Sequence, residues 1–197
     1  MRRRSLGWLL LGAAGWLLAG PPPGPSAAAA TLTLGDRERQ EAIRVGQRSV
    51  AAEEFGVEWR VRDGAGQSLV VMTPFHRVAL EARKSAFKKQ PLKPKDVGDA
   101  VKQATGKLTF WVTLKGAKVD FARHYAPVLR NGKDDIQPSF VQNERTAIRE
   151  DDGRFAARCL YVFPADGVTG TSRLTLLVLD PDEKEMAKFT VDLSSMR

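Results

Sequence analysis

Residues 173–180 read Arg173-Leu174-Thr175-Leu176-Leu177-Val178-Leu179-Asp180, with apolar side chains on both parities of an extended chain: Leu174, Leu176 and Val178 on one, Leu177 and Leu179 on the other. A strand that is apolar on both sides is expected to be covered on both. A turn over Pro181 to Glu185 follows, and then Ala187, Phe189, Val191 and Leu193 alternate with Lys188, Thr190 and Asp192. The pair predicts an antiparallel hairpin, its second strand wet on one side, at the middle of a β-rich domain.

Working upstream, the same period of two recurs. Phe155, Ala157, Cys159, Tyr161 and Phe163 alternate with Ala156, Arg158, Leu160 and Val162. Leu108, Phe110, Val112 and Leu114 alternate with Thr109, Trp111 and Thr113. Between these two segments Asn131-Gly132 marks a turn, while Pro127 and Pro138 predict edge strands or loops on either side of it, because proline donates no ladder hydrogen bond. Short strands with turn signals at close intervals predict an antiparallel β-sandwich from Lys107 to Arg197. That half resembles an immunoglobulin-like sandwich in outline, a resemblance of strand rhythm alone.

Residues 31–106 predict a helix-hairpin-helix part. Asp36 is placed to cap a helix reaching about Ala52, with Ala42, Ile43, Gly46 and Val50 at helical spacing. Val57, Trp59 and Val61 alternate with Glu58, Arg60 and Arg62, and Asp63-Gly64 turns the chain back into Ser68 to Met72. Thr73-Pro74 then opens a helix whose Phe75, Val78, Ala79, Ala82 and Ala86 form one face. Leu80 and Phe87 make a second apolar stripe, predicting contact with a second neighbour. Pro91 and Pro94 end that helix, and Asp96 to Ala104 forms a short third one before Gly106. No flexible linker follows Ala104. The expectation is therefore an α+β chain, one continuous globule with two or three helices of the N-terminal half packed on the sandwich.

Residues 1–30 read as a secretory signal segment: Arg2, Arg3 and Arg4, a short apolar run from Leu6 to Gly20, and alanines at positions 27–30. A membrane-spanning helix needs about 20 apolar residues, more than this run supplies. The predicted location is extracytoplasmic, periplasmic or secreted, with membrane contact only through the segment before cleavage. Removing the three leader arginines lowers the formal charge from +8 to +5. Cys159 is the sole cysteine, so no disulfide can form within the chain and the fold must rest on its apolar core.

The chemistry on offer is sparse. His76 and His124 are the two histidines, neither has a second ligand at metal spacing, and both read as surface residues, so no metal or other cofactor is predicted. Cys159 shares its strand parity with aromatic core positions, which argues against a nucleophile. No Gly-x-Ser-x-Gly occurs, and the paired aspartates at 134–135 and 151–152 have the character of turns. The sharpest polar feature is basic: Arg83, Lys84, Lys88, Lys89, Lys93 and Lys95 fall in a stretch without acids, and Arg77 precedes them on the same helix. That set suits an anionic partner, either a protein or an envelope component. Export and the lack of aromatics among the charges disfavour nucleic acid. Trp111 faces away from the predicted core parity and Trp59 sits among Arg60 and Arg62 on a two-stranded element, so both are candidate aromatic contacts. The expectation is an exported, non-catalytic binding or assembly protein of the cell envelope. The alternative is a secreted hydrolase-like enzyme, its site assembled from distant loops around His124, Tyr125, Asp120, Asp134 and Asp135.

Overall fold

A computed structural model describes residues 32–52 and 54–197, so the leader expected over residues 1–30 lies outside the described residues. The described residues form three α-helices and two antiparallel sheets. In chain order these are α1 (Asp36–Arg48), β1 (Arg60–Arg62), β2 (Ser68–Val71), α2 (Pro74–Phe87) and α3 (Pro94–Ala104), then β3 (Lys107–Gly116), β4 (Ala126–Asn131) and β5 (Asp134–Ile136). The remaining strands are β6 (Phe140–Gln142), β7 (Ile148–Arg149), β8 (Phe155–Pro164), β9 (Arg173–Leu179) and β10 (Glu185–Asp192).

The 173–193 hairpin is β9 paired with β10, closed by Asp180, whose carboxylate accepts from the backbone amides of Asp182 and Lys184 at 2.9 Å each. β9 is central in the order β10-β9-β4-β5. Its Leu174, Leu176 and Val178 are fully buried, but Leu177 and Leu179 are only half-buried. The expected cover on both faces is therefore incomplete. Register explains why the second face tolerates this: Leu177 lies between Val128 and Lys188, so cross-strand neighbours shield it in place of another layer.

The second sheet runs β1-β2-β3-β8-β6, with β7 also on β8. The β1–β2 hairpin of the N-terminal half thus extends the sheet whose longest pairing, β3 with β8, comes from the C-terminal half. Leu108, Phe110, Val112 and Leu114 of β3 face inward with Ala157, Cys159, Tyr161 and Phe163 of β8, all at most 1% exposed. They join Leu129, Leu176 and Phe189 of the other sheet, and Val78, Ala79, Val97 and Ala100 of the helices, in one core.

Five local expectations are corrected. Trp59 does not lie on a strand beginning at Val57: Gly56 takes φ +86° and the chain makes a 3-10 turn over Val57–Trp59 before β1, with Val57 left exposed and the indole buried. β4 is not an edge strand despite Pro127, because β5 covers only Leu129 to Asn131, leaving Pro127 where one side of β4 has no strand partner. α3 begins at Pro94 and not at Asp96, with the proline as its first residue, since the first turn has no use for that amide. At the start of α1, Gly35 is the cap and its amide donates to the Glu38 carboxylate at 2.8 Å, with Asp36 already helical. α1 ends at Arg48 and a 3-10 turn, Ser49–Ala51, carries the chain on.

α2 starts as its sequence implies, with the Thr73 hydroxyl accepting from the His76 amide at 3.1 Å. α1 crosses it at Gly46, where an added Cβ would lie 2.1 Å from the Ala79 carbonyl oxygen and 2.8 Å from the Ala82 methyl. Only glycine permits that approach.

Candidate functional site

The basic residues singled out in the sequence divide between two environments. Arg77 is half-buried on α2, its Nη1 making one long contact of 3.4 Å to Gln103 Oε1 of α3 while its Nε is buried without a hydrogen-bond partner. Burial depresses its pKa from the usual arginine value. Arg83 lays its guanidinium over the Phe55 ring at 4.7 Å, so it is engaged by its own chain. Lys84 reaches Glu81 at 3.5 Å across one turn of α2, a solvated pair. Lys88, Lys89, Lys93 and Lys95 are exposed at the end of α2, in the connector and at the start of α3. Lys89 takes φ +54°, the turn that stops α2.

Phe87 sits among these lysines at 75% exposure, and Leu80, 39% exposed, lines a hollow with Ala100 and Gln103 of α3, so the second stripe of α2 turns toward α3 at Leu80 and is bare at Phe87. From Lys84 to Lys95 there are five lysines, no acid and one bare phenyl ring. This tip is both cationic and apolar.

The two tryptophans part company. Trp59 is 1% exposed, so the expectation of a surface aromatic is overturned there. Its ring stacks on His76 with centroids 4.1 Å apart and planes within 6°, and its Nε1 donates to the Arg197 carbonyl oxygen at 2.6 Å. The same oxygen accepts from Thr73 Oγ1 at 2.6 Å, and the Arg197 guanidinium forks onto Glu58 at 2.7 and 2.9 Å. His76 is therefore no surface histidine. It is 4% exposed, its Nδ1 lies 2.9 Å from the Val71 carbonyl, and burial pushes its pKa down to about 4.

Trp111 is 46% exposed. Register places it beside Leu160 of β8, with Phe140 of β6 beside Val162 one row further along the strands, all on the outer face of their sheet. Arg77 and Gln103 close one side of this face, leaving a depression of about 580 Å³. Beyond Arg77 a smaller hollow of about 200 Å³ is lined by Glu81, Asp96 and Asp99.

No side-chain hydrogen bond or ion pair joins any two of His124, Tyr125, Asp120, Asp134 and Asp135, the residues of the alternative, catalytic arrangement, among the described residues. His124 lines a hollow with Arg123, Asn143 and Arg145, while Asp135 is held by Arg130 through contacts of 2.7 and 3.1 Å, which lower its pKa. Tyr125 is half-buried with its ring tilted against Phe121 at 5.9 Å, and burial raises its pKa. No hydrogen bond links His124 to a carboxylate among the described residues. Cys159 is buried, its pKa raised by burial. Among the described residues no three His, Cys, Asp or Glu side chains gather as a metal site, and no helix is long and apolar enough to cross a membrane.

Sequence reasoning found Trp111 but missed the depression around it. The available signal was the off-parity apolar pair Leu160 and Val162, whose partner Phe140 only the sheet order reveals.

No protein-family model matches the chain, and no curated protein matches it. Among solved structures, IgNAR antibody domain C3 is similar at 17% identity over 51% of this chain and 86% of that one, with a TM-score of 0.31.

Proposed function

We propose that the chain is an exported, non-catalytic binding or assembly protein of the cell envelope, held at an anionic lipid surface by the tip between α2 and α3. In this reading the strands from Lys107 onward form an immunoglobulin-like sandwich in outline, and the protein works outside the cytoplasm after loss of its leader. One observation carries it: Lys84, Lys88, Lys89, Lys93 and Lys95 bracket a phenyl ring that is 75% exposed, in a stretch free of carboxylates. Lysines draw a surface toward anionic headgroups, and an exposed aromatic ring favours the interfacial layer over bulk water. The combination suits lipid better than a purely polar polyanion, for which Phe87 has no use.

Vesicle cosedimentation tests it. The protein should bind phosphatidylglycerol-containing vesicles and not pure phosphatidylcholine, with affinity falling as salt rises. At about 1 kcal/mol per lysine, the triple variant Lys84→Gln, Lys88→Gln, Lys89→Gln should bind roughly 100-fold more weakly. Binding that ignores salt, or survives the triple variant intact, refutes the reading.

A further inference from the structure

We propose that the depression over Trp111 is a binding site for a small aromatic carboxylate, its ring lying on Trp111 and Phe140 and its anionic group meeting Arg77. Four apolar side chains make most of the floor: Leu160 pairs with Trp111 and Val162 lies beside Phe140, in adjacent rows of one sheet face, with Thr109 on the other flank of Val162. Trp111 at 46% and Phe140 at 49% exposure offer their rings to solvent. Aromatic rings so placed take a flat partner by offset or edge-on stacking.

Charge selects among flat ligands. Arg77 and Lys107 line the depression and no carboxylate does. Arg77 takes part in no ion pair among the described residues, and its Nη nitrogens have only the long contact to Gln103. A half-buried guanidinium without a close anion is an unmet demand, and a carboxylate is the group its planar fork fits. Glu81, Asp96 and Asp99 line a neighbouring hollow that Arg77 also lines, and none of them lies within ion-pair distance of its guanidinium. The volume, about 580 Å³, suits one or two fused rings. A protein partner would instead be expected to follow the free edge of β6, yet that strand is only three residues long.

The site is separate from the lysine tip, so either reading can fail alone. Calorimetric titration of the full chain with 2-naphthoate and with its neutral counterpart 2-naphthylmethanol tests it. The naphthoate should saturate at one site and bind about tenfold more tightly than the alcohol, the value of one charge-assisted hydrogen bond. Arg77→Gln should abolish that preference while sparing alcohol binding, Lys107→Gln should reduce it, and Trp111→Ala should weaken both ligands. The triple lysine variant should leave all of this unchanged. Lys107 and Trp111 are exposed, so these two variants keep the test decisive if Arg77→Gln disturbs the packing of α2 on α3. Equal binding of the two ligands, no saturation, or indifference to Trp111→Ala overturns the proposal. Sedimentation showing self-association that Phe140→Ser removes also overturns it, by giving the face to a second copy of the chain.

Discussion

Trp59, flanked by Glu58 and Arg60, and Trp111, flanked by Phe110 and Val112, are the two aromatics offered as surface contacts, and they end in opposite surroundings. Trp59 is enclosed by His76, Phe75 and Phe55, with its indole nitrogen satisfied by Arg197. Trp111 lies open on the back of β3 with apolar strand neighbours and no hydrogen bond for its nitrogen among the described residues. The difference lies in the cover: Phe55, Phe75 and His76 close over Trp59, while Trp111 lines an open depression. The lesson is that a charged neighbour in sequence does not mark an aromatic as exposed, because Trp59 shares its parity with half-buried Val61 while Arg60 and Arg62 stay in water. Trp111 has ten ladder residues around it, whereas Trp59 precedes a strand of three.

The comparison breaks most visibly under truncation. Trp59→Ala empties a filled site and strands the Arg197 carbonyl with one donor fewer, so urea unfolding should show a loss of about 3–5 kcal/mol. Trp111→Ala removes an exposed ring and should cost about 0.5 kcal/mol or less. Comparable losses would mean that the two rings are equally packed.

A second probe is pH, since only the Trp59 end holds a buried imidazole. The folded pKa of His76, about 4, lies below the ordinary 6.5, so the unfolded chain binds the extra proton and stability rises with pH. The contribution is whole above pH 6.5 and drains as pH falls toward 4. At about 1.4 kcal/mol per pH unit, roughly 2 kcal/mol should be gone by pH 5, where ordinary carboxylates stay ionised. His76→Asn keeps a donor for Val71 and should flatten the urea midpoint between pH 7 and 5. A wild-type midpoint that is constant over this range would show His76 to be hydrated.

The smallest effect concerns the underside of the open face. Cys159 pairs with Val112 on the inner side of β3 and β8, beneath Trp111, with its thiol buried and its pKa raised by that burial. An aromatic disulfide reagent should label it at least about a hundredfold more slowly in the native chain than in urea. Fast native labelling would mean that the sheet under Trp111 opens readily.

Much of this architecture is legible in the residues themselves. Strict alternation in β3, β8 and β10, and the Thr73-Pro74 opening of α2, each state a local rule that the fold obeys. What stayed hidden depends on neighbours in space. The cover over Trp59 comes from Phe55, Phe75 and His76, and Pro127 is admitted to β4 because β5 stops short of it. Phe140, Leu160 and Trp111 belong to three different strands, and only the order β3-β8-β6 makes them one surface. The basic run shows the converse: contiguous in sequence, it is divided in the fold, with Arg83 turned to Phe55 and Arg77 to Gln103 while the lysines remain in water.

Gly46 sets how α1 is held. The helix is charged along most of its length, and only Ala42 and Gly46 are fully buried, against a partner that offers Ala79 and Ala82 at the crossing. Such a seat specifies position closely while supplying little apolar area, so α1 is fastened like a key in a shallow slot: accurately aligned, weakly retained, and the first helix to lift away when the molecule is warmed.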